Sequence, residues 1–393
     1  MVTRTETESS WLQQAPVPDE PYGSDPAPDV VSEATISITT DQGVQTGIGV
    51  YAMGLLRLLR PAFPGLQLVS LDYLRAPPGA PGIVRLPGTR TVRHRWEVPL
   101  VRRHNRGVLA RSISVDTAIH DCGPDYAISA MHDRAVTTIH DYYPRRPSWT
   151  SIGNPVVLAR DALALAGYLT IPRQVRRCRA VVVPTKYVQR RLWANARVPS
   201  TVIRHWIDTE RFHLRSPADA RARLGLPRDE TLVLNVGVGA SNKNVALLQA
   251  IAQTLPEGFR LVKVGEPLRH PSARLLQLGR LSHEAYPLLF NACDAYLHPS
   301  IEEGFGRPLI EAIASEIPIV ALDTEVAREV AADVATYVSA ESPLEEWLTA
   351  IREATAPKQR AEARARARRR QEVFSPAVAR QQYVELYRKA FDL

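Results

Sequence analysis

Along this chain, short runs of β-branched and other apolar residues alternate with stretches whose apolar positions recur at helical spacing. The short runs lie at Gln67–Leu71, Ala135–Ile139, Ala180–Val183, Thr201–Ile203, Thr231–Val236, Arg260–Val264, Ala295–His298 and Ile317–Leu322. Helical spacing marks Val50–Leu59, Val156–Val175, Tyr187–Trp193, Val245–Gln253 and Leu309–Ala314. The alternation predicts an α/β protein of parallel sheets covered by helices on both faces. The 393 residues suit two such units better than one. The break is expected over Phe212–Pro227, where polar residues, Pro and Gly precede a fresh strand. The predicted domains are residues 34–210 and 211–375.

The ends differ in kind. Residues 1–33 hold Pro16, Pro18, Pro21, Pro26 and Pro28 among acids, with too little apolar surface to offset ordering entropy, and predict a disordered tail. Pro376–Phe391 places Val378, Tyr383, Leu386 and Tyr387 on one helical face, which must dock on something.

Charge sharpens this division. The whole chain carries +8 and its first 33 residues −6, which leaves +14 on the rest. A positive body suits an anionic partner, whether nucleotide phosphate, lipid headgroup or nucleic acid. Cys122, Cys178 and Cys293 have no C-x-x-C spacing and read as ordinary thiols of a reducing compartment. No apolar run approaches the ~18 to 20 residues of a membrane span, and the start lacks a basic-then-apolar leader. The expectation is a cytoplasmic protein. The Arg-rich Ala361–Arg370 reads as a solvated helix face.

The chemistry is densest at His298-Pro-Ser-Ile-Glu-Glu-Gly-Phe-Gly-Arg-Pro-Leu-Ile-Glu311. This is a strand, a glycine-containing turn and a helix start, with Pro308 suited to the first helical position. Amide groups of Phe305, Gly306 and Arg307 at that helix end make an anion site fit for a diphosphate. Glu303 and Glu311, eight residues apart, would accept hydrogen bonds from sugar or ribose hydroxyls.

This string resembles glycosyltransferase family 4, the glycosyl transferases group 1, whose fold is GT-B. Glu303–Ala312 matches the family's Glu-Gly-Phe-Gly-x-Pro-x-x-Glu-Ala segment at each fixed position. The resemblance implies that Glu303 contacts the donor sugar, Glu311 holds the nucleotide ribose, and the backbone of Phe305 and Gly306 binds phosphate. Asn235-Val-Gly237 through Lys243-Asn-Val is similar to the family's glycine loop and helix start, with Lys243 reaching the diphosphate as a point charge. Val238 stands where many members have Arg, Glu316 where Gly is usual, and Trp206 likewise for Gly in the Val202–Phe212 connection. Residues 376–393 resemble the family's last helix, which crosses back to the N-terminal domain. The implied architecture is two Rossmann-like doubly wound domains facing a cleft.

In the N-terminal half, Thr46-Gly47-Ile-Gly49-Val-Tyr51 sits between a strand and a helix, and the family's similar loop faces donor phosphates and acceptor. It is not a dinucleotide fingerprint, because Met53 and Gly54 break the spacing. Ile119-His120-Asp121 and Ile139-His140-Asp141 end predicted strands, where parallel sheets bind ligands. By resemblance His120 is expected at the donor sugar and His140 behind it or on the acceptor side. Arg85–Arg111 has eight arginines and two histidines against Glu97, with Trp96, Leu100 and Val101 among them. It reads as a solvated surface or as an acceptor or anionic-membrane site at the inner membrane surface.

The resemblance implies a retaining hexosyltransferase, with mannose or glucose as the hexose, using a UDP- or GDP-sugar. It needs neither metal nor other cofactor, and no Asp-x-Asp triad lies near these motifs. The acceptor would be a glycan, a lipid-linked or a small molecule. The alternatives are a sugar phosphorylase or other nucleotide-sugar enzyme on the same fold, or a non-catalytic basic protein binding nucleic acid. The basic runs lack the interleaved aromatics a base-stacking surface needs, so no nucleic acid is expected.

Overall fold

A computed structural model of the chain describes residues 31–32, 34–40, 47–70, 83–85, 104, 107–108, 111–114, 117–122, 132–142, 169–237, 241–279 and 281–393. The acidic tail to residue 30, most of Arg85–Arg111 and most of Val156–Val175 lie outside these residues.

The described residues divide into two compact units. One comprises chain up to His205 together with residues 376–393; the other comprises Trp206–Ser375. The first holds a seven-stranded sheet of β1 (Ile36–Thr40), β2 (Leu66–Ser70), β3 (Ile83–Arg85), β4 (Ala118–Asp121), β5 (Ala135–Thr138), β6 (Ala180–Val183) and β7 (Thr201–Val202). Their order is β3-β2-β1-β4-β5-β6-β7, and each pairing is parallel. Helix α1 (Gly47–Leu59) follows β1, and α2 (Lys186–Ala196) follows β6. The Thr185 hydroxyl caps α2 by accepting from Val188 N at 3.2 Å.

The second unit begins with α3 (Pro217–Leu224), followed by a six-stranded parallel sheet. Its strands are β8 (Thr231–Gly237), β9 (Phe259–Gly265), β10 (Leu275–Leu278), β11 (Ala295–His298), β12 (Ile319–Leu322) and β13 (Ala335–Val338). Their order is β10-β9-β8-β11-β12-β13. Its helices are α4 (Val245–Thr254), α5 (Ala285–Ala292), α6 (Arg307–Ala314), α7 (Glu325–Ala331), α8 (Leu344–Thr355) and α9 (Pro357–Gln371). One core face is built from Val233, Leu248, Ile251, Leu261, Leu297, Val320, Trp347 and Ile351. The strands are apolar along their length because both faces are covered. Both sheets are thus parallel and doubly wound, the architecture expected from the alternating pattern.

The last helix, α10 (Pro376–Phe391), belongs by its contacts to the first unit. Its Tyr383 and Tyr387 are fully buried there, and Arg380 Nε donates to Leu58 O at 3.1 Å. The Arg-rich run lies on α9 and is less solvated than expected. Ala363 and Ala367 are buried and Arg370 Nε donates to Val330 O at 3.0 Å, while Arg368 and Arg369 stay exposed on the other side. Among the described residues, no helix is long and apolar enough to cross a membrane.

Candidate functional site

In the second sheet the strand order reverses between β8 and β11, neighbours in space with β9 and β10 between them in sequence. Loops leaving the C-terminal ends of such a strand pair form the usual ligand crevice of an open α/β sheet. Here the two loops are knitted together. Asn235 Nδ2 donates to Leu297 O at 3.0 Å, Asn242 Nδ2 to Glu302 O at 2.9 Å, and Ile301 N to Asn242 O at 2.8 Å.

On that frame Lys243, at the end of a short 3-10 turn, donates its Nζ to Glu303 Oε1. Burial pushes the Glu303 carboxyl up. The Lys243 and His298 charges and hydrogen bonds from Lys243 and Ser300 outweigh it and hold the pKa below the usual carboxylate range. Glu303 is therefore an ionised carboxylate beside a lysine at the mouth of the switch point.

Helix α6 starts at Arg307, with Pro308 in its first turn and Gly306 as the residue before it. Gly306 has φ 81°, and a Cβ there would meet Leu309 Cδ1 at 3.1 Å and the His298 ring at 3.5 Å. Both the left-handed backbone and the close ring demand glycine. The Phe305 side chain is buried and packs edge-on against Phe374. Gly237 ends β8. Its carbonyl accepts from Lys263 Nζ at 2.6 Å and lies 2.5 Å from where a Cβ on Gly265 would stand. Residues 238–240, Val238 included, lie outside the described residues.

Glu311 sits one turn into α6, 8% exposed, and accepts from the Tyr286 hydroxyl at 2.7 Å through Oε2. Burial raises its pKa, with the Arg307 charge and the Tyr286 hydrogen bond opposing. Both glutamates bear on a single group, the buried Tyr296 hydroxyl. Burial raises its pKa first, and the charges of Glu303 and Glu311 raise it further. The two carboxylates therefore both act electrostatically on Tyr296 of β11. Tyr296 Oη also meets His298 Nδ1 at 3.2 Å; burial brings His298 down to about 4, with Glu303 opposing and Lys243 reinforcing. Gly237, Lys243, Glu303, Phe305, Gly306 and Glu311 thus converge. The sequence reading missed Tyr286, Tyr296, Asn242 and Lys263, whose roles come from contacts distant in sequence.

The first sheet also reverses, between β1 and β4. Gly47 opens α1 and is exposed, with nothing within 4 Å of where a Cβ would stand; Gly49 is buried in the same turn. His120 departs from expectation. It lies inside β4 and fully buried, with Nδ1 on the Tyr387 hydroxyl and Nε2 on Thr138 Oγ1, both at 2.7 Å. Both of its ring nitrogens are thus engaged by hydroxyls in the core. The cause is the face of β4 on which it falls: that face packs on α10. His140 lies just past β5 and is partly exposed, its ring edge-on to Tyr51 of α1 at 4.7 Å and 5.7 Å from the ring of His205. Of the two histidines, His140 is the one placed at a strand mouth.

The chain thus holds two doubly wound parallel-sheet units, the second with a helix start and two glutamates at its switch point. Residues 218–371 match the family described as Glycosyl transferases group 1. Sucrose-phosphate synthase from Thermosynechococcus elongatus is similar over 91% of this chain and 99% of its own, with TM-score 0.70 and 20% identity. Anabaena HepE, solved in complex with UDP-glucose, is similar over 89% of this chain and 98% of its own, with TM-score 0.66 and 16% identity. At such identities the likeness shows the fold. The serotype-specific mannosyltransferase WbdA of Escherichia coli is 35% identical over 101 residues, 23% of this chain and 12% of WbdA. The chain thus spans only 12% of that relative's length.

Proposed function

We propose that this protein is a glycosyltransferase moving a hexose from a nucleotide sugar to a glycan, lipid-linked or small-molecule acceptor, with retention of anomeric configuration and without a metal. The observation that carries the reading is the Lys243–Glu303 pair beside the start of α6, the helix that also holds Glu311. In this reading the donor's diphosphate lies against the Phe305–Gly306 backbone and takes up the Lys243 ammonium. Fixed dipoles and a fixed cation stabilise charge on the leaving diphosphate better than mobile water does. Glu303, released from Lys243, accepts hydrogen bonds from the donor hexose, and Glu311 accepts from the ribose hydroxyls. His140, beside Tyr51 and the Gly47–Gly49 turn, serves the acceptor side. UDP- and GDP-hexoses are the donors to try first: HepE was solved with UDP-glucose, and WbdA is named a mannosyltransferase.

A thermal-shift screen of nucleotide sugars tests the donor site, because a ligand of the folded state alone raises the melting temperature with its occupancy. Product analysis with the best donor, with and without inorganic phosphate, then separates transfer from phosphorolysis. A chain that no nucleotide or nucleotide sugar stabilises would sink the reading.

A further inference from the structure

From Ala162 to Ile207 the chain has nine lysines and arginines and no aspartate or glutamate. Two of its described segments, α2 and residues 169–179, reach the surface. Helix α2 packs through Val188 and Leu192 against Ile171 and Val175, so α2 and residues 169–179 lie side by side. Their outward side chains are basic, with Arg173, Arg176, Arg190 and Arg197 exposed. Two large apolar side chains stand among them. Leu169 is 66% exposed, Trp193 is 50% exposed, and the Arg197 guanidinium lies 5.7 Å from the Trp193 ring centre.

Nearby acids offset only part of the charge. Asp133 lies 3.9 Å from Arg177 and Asp392 2.7 Å from Arg179, with every one of these side chains at least 41% exposed. Exposed pairs of this kind contribute little and are screened by salt. Arg173, Arg176 and Arg197 have no carboxylate partner among the described residues. A patch of this sign selects an anionic partner, and its apolar members select which kind. An aliphatic side chain such as Leu169 cannot stack on a base, but it gains by entering the boundary of an acyl layer. Tryptophan prefers the headgroup level of a bilayer, where its ring is sheltered and its N–H stays wet.

We propose that the surface formed by α2 and residues 169–179 docks the protein on a membrane bearing anionic phospholipids. Trp193 and Leu169 enter the headgroup layer, and Arg173, Arg176 and Arg197 pair with lipid phosphates. This site is separate from the donor site and does not depend on the glycosyl-transfer reading.

The test is co-sedimentation of the full chain with vesicles of phosphatidylcholine alone and of phosphatidylcholine with phosphatidylglycerol. Binding is expected only to the anionic vesicles and should weaken by about fivefold for each base removed. Arg173→Glu with Arg176→Glu should therefore lose binding, as should Leu169→Ser with Trp193→Ser. Lys358→Glu with Arg369→Glu, an equal charge change on the exposed side of α9, should retain it. Anionic vesicles should also shift Trp emission to the blue, and Trp193→Phe should remove that shift although five tryptophans remain of the chain's six. The proposal is overturned by no binding to anionic vesicles, by equal loss in the α9 variant, by an unchanged emission shift in Trp193→Phe, or by an RNA or DNA oligonucleotide displacing the vesicles at equal salt. Nucleotide-sugar thermal shifts on the same variants report the donor site and their fold independently.

Discussion

The Tyr286 hydroxyl donates to Glu311 Oε2 at 2.7 Å, tying the first turn of α5 to α6. This bond fixes one carboxylate oxygen and leaves the other to meet a ligand. Tyr286 is itself half-buried, with Phe212 and Phe290 both edge-on to its ring at 5.9 and 5.7 Å. The carboxylate is therefore held by a side chain packed on both sides.

Tyr286→Phe should destabilise the protein by about 1 to 2 kcal/mol in denaturant unfolding, because it leaves a buried carboxylate oxygen short of a donor. Its more telling effect concerns the nucleotide. If Glu311 grips the ribose, wild-type protein prefers UDP or GDP over the 2′-deoxy form, and Tyr286→Phe should shrink that preference several-fold. Loss of both affinities in equal proportion would reduce Tyr286 to packing alone. Loss of the bond should also raise the Glu311 pKa further. Nucleotide binding, which needs the ionised form, should then fall off at a higher pH than in the wild type.

The Lys243–Glu303 pair gives a prediction with opposite signs for its two members. A diphosphate must compete with Glu303 for the ammonium. Glu303→Gln should therefore bind UDP or GDP at least as tightly as the wild type while losing transfer by roughly 100-fold or more, the scale of a lost charged contact to the reacting group. Lys243→Met should weaken the same binding by roughly tenfold or more, since a charge-assisted bond to phosphate contributes about 1.5 to 3 kcal/mol. Calorimetric titration of both variants separates the two. Weaker binding in Glu303→Gln would mean that the glutamate, rather than the lysine, organises the phosphate site.

Much of the arrangement around Glu303 was legible because it is local. Glu303, Gly306 and Glu311 lie within one strand–turn–helix string, and β11 begins and ends where its apolar run does. Lys243 was legible for the same reason, one loop after β8. Three strands escaped the pattern, Ile83–Arg85, Leu275–Leu278 and Ala335–Val338, although others as short, such as Ala180–Val183, did not. Side-chain direction was harder. The pattern located His120 near a strand end, but whether its ring meets ligand or core is decided by Tyr387, 267 residues later. Tyr286 left no signal, because its meaning lies in a carboxylate 25 residues away.

Position 316 shows a departure from the family pattern absorbed by the fold. Helix α6 ends with Ile317 N on Ala312 O at 3.2 Å and Glu316 N on Ile313 O at 3.1 Å, a Schellman motif whose left-handed position is Glu316 at φ 53°. Glycine is the usual residue there because it has no Cβ to crowd the following carbonyl. The glutamate is retained with its Oε1 accepting from Arg368 Nε at 2.8 Å, although its Oε2 is buried and unpartnered. Glu316→Ala keeps the strained backbone and loses the ion pair, whereas Glu316→Gly relieves the strain. The glycine variant should be more stable than the alanine variant by about 1 kcal/mol in denaturant unfolding. Alanine equalling or exceeding glycine would show that the turn tolerates a Cβ without cost.

Two buried histidines give the protein an acid limit. Burial, reinforced by the His140 charge, brings His120 from 6.5 to about 3, and burial brings His298 to about 4. The folded values lie below the unfolded one, so the unfolded chain takes up protons first as pH falls. The stability these neutral rings contribute is complete above about pH 6.5. It is lost on acidification down to about 4 for His298 and about 3 for His120. Each ring should cost about 1.4 kcal/mol per pH unit within its window. Urea unfolding between pH 7 and 5 reads this slope above the ordinary carboxylate range. His120→Gln should flatten it by about that amount while leaving the His298 share, because glutamine does not titrate but can still hydrogen-bond Tyr387 or Thr138. A slope unchanged by His120→Gln would mean that His120 keeps its proton in the folded core, and that the Tyr387 and Thr138 hydroxyls stabilise an imidazolium there.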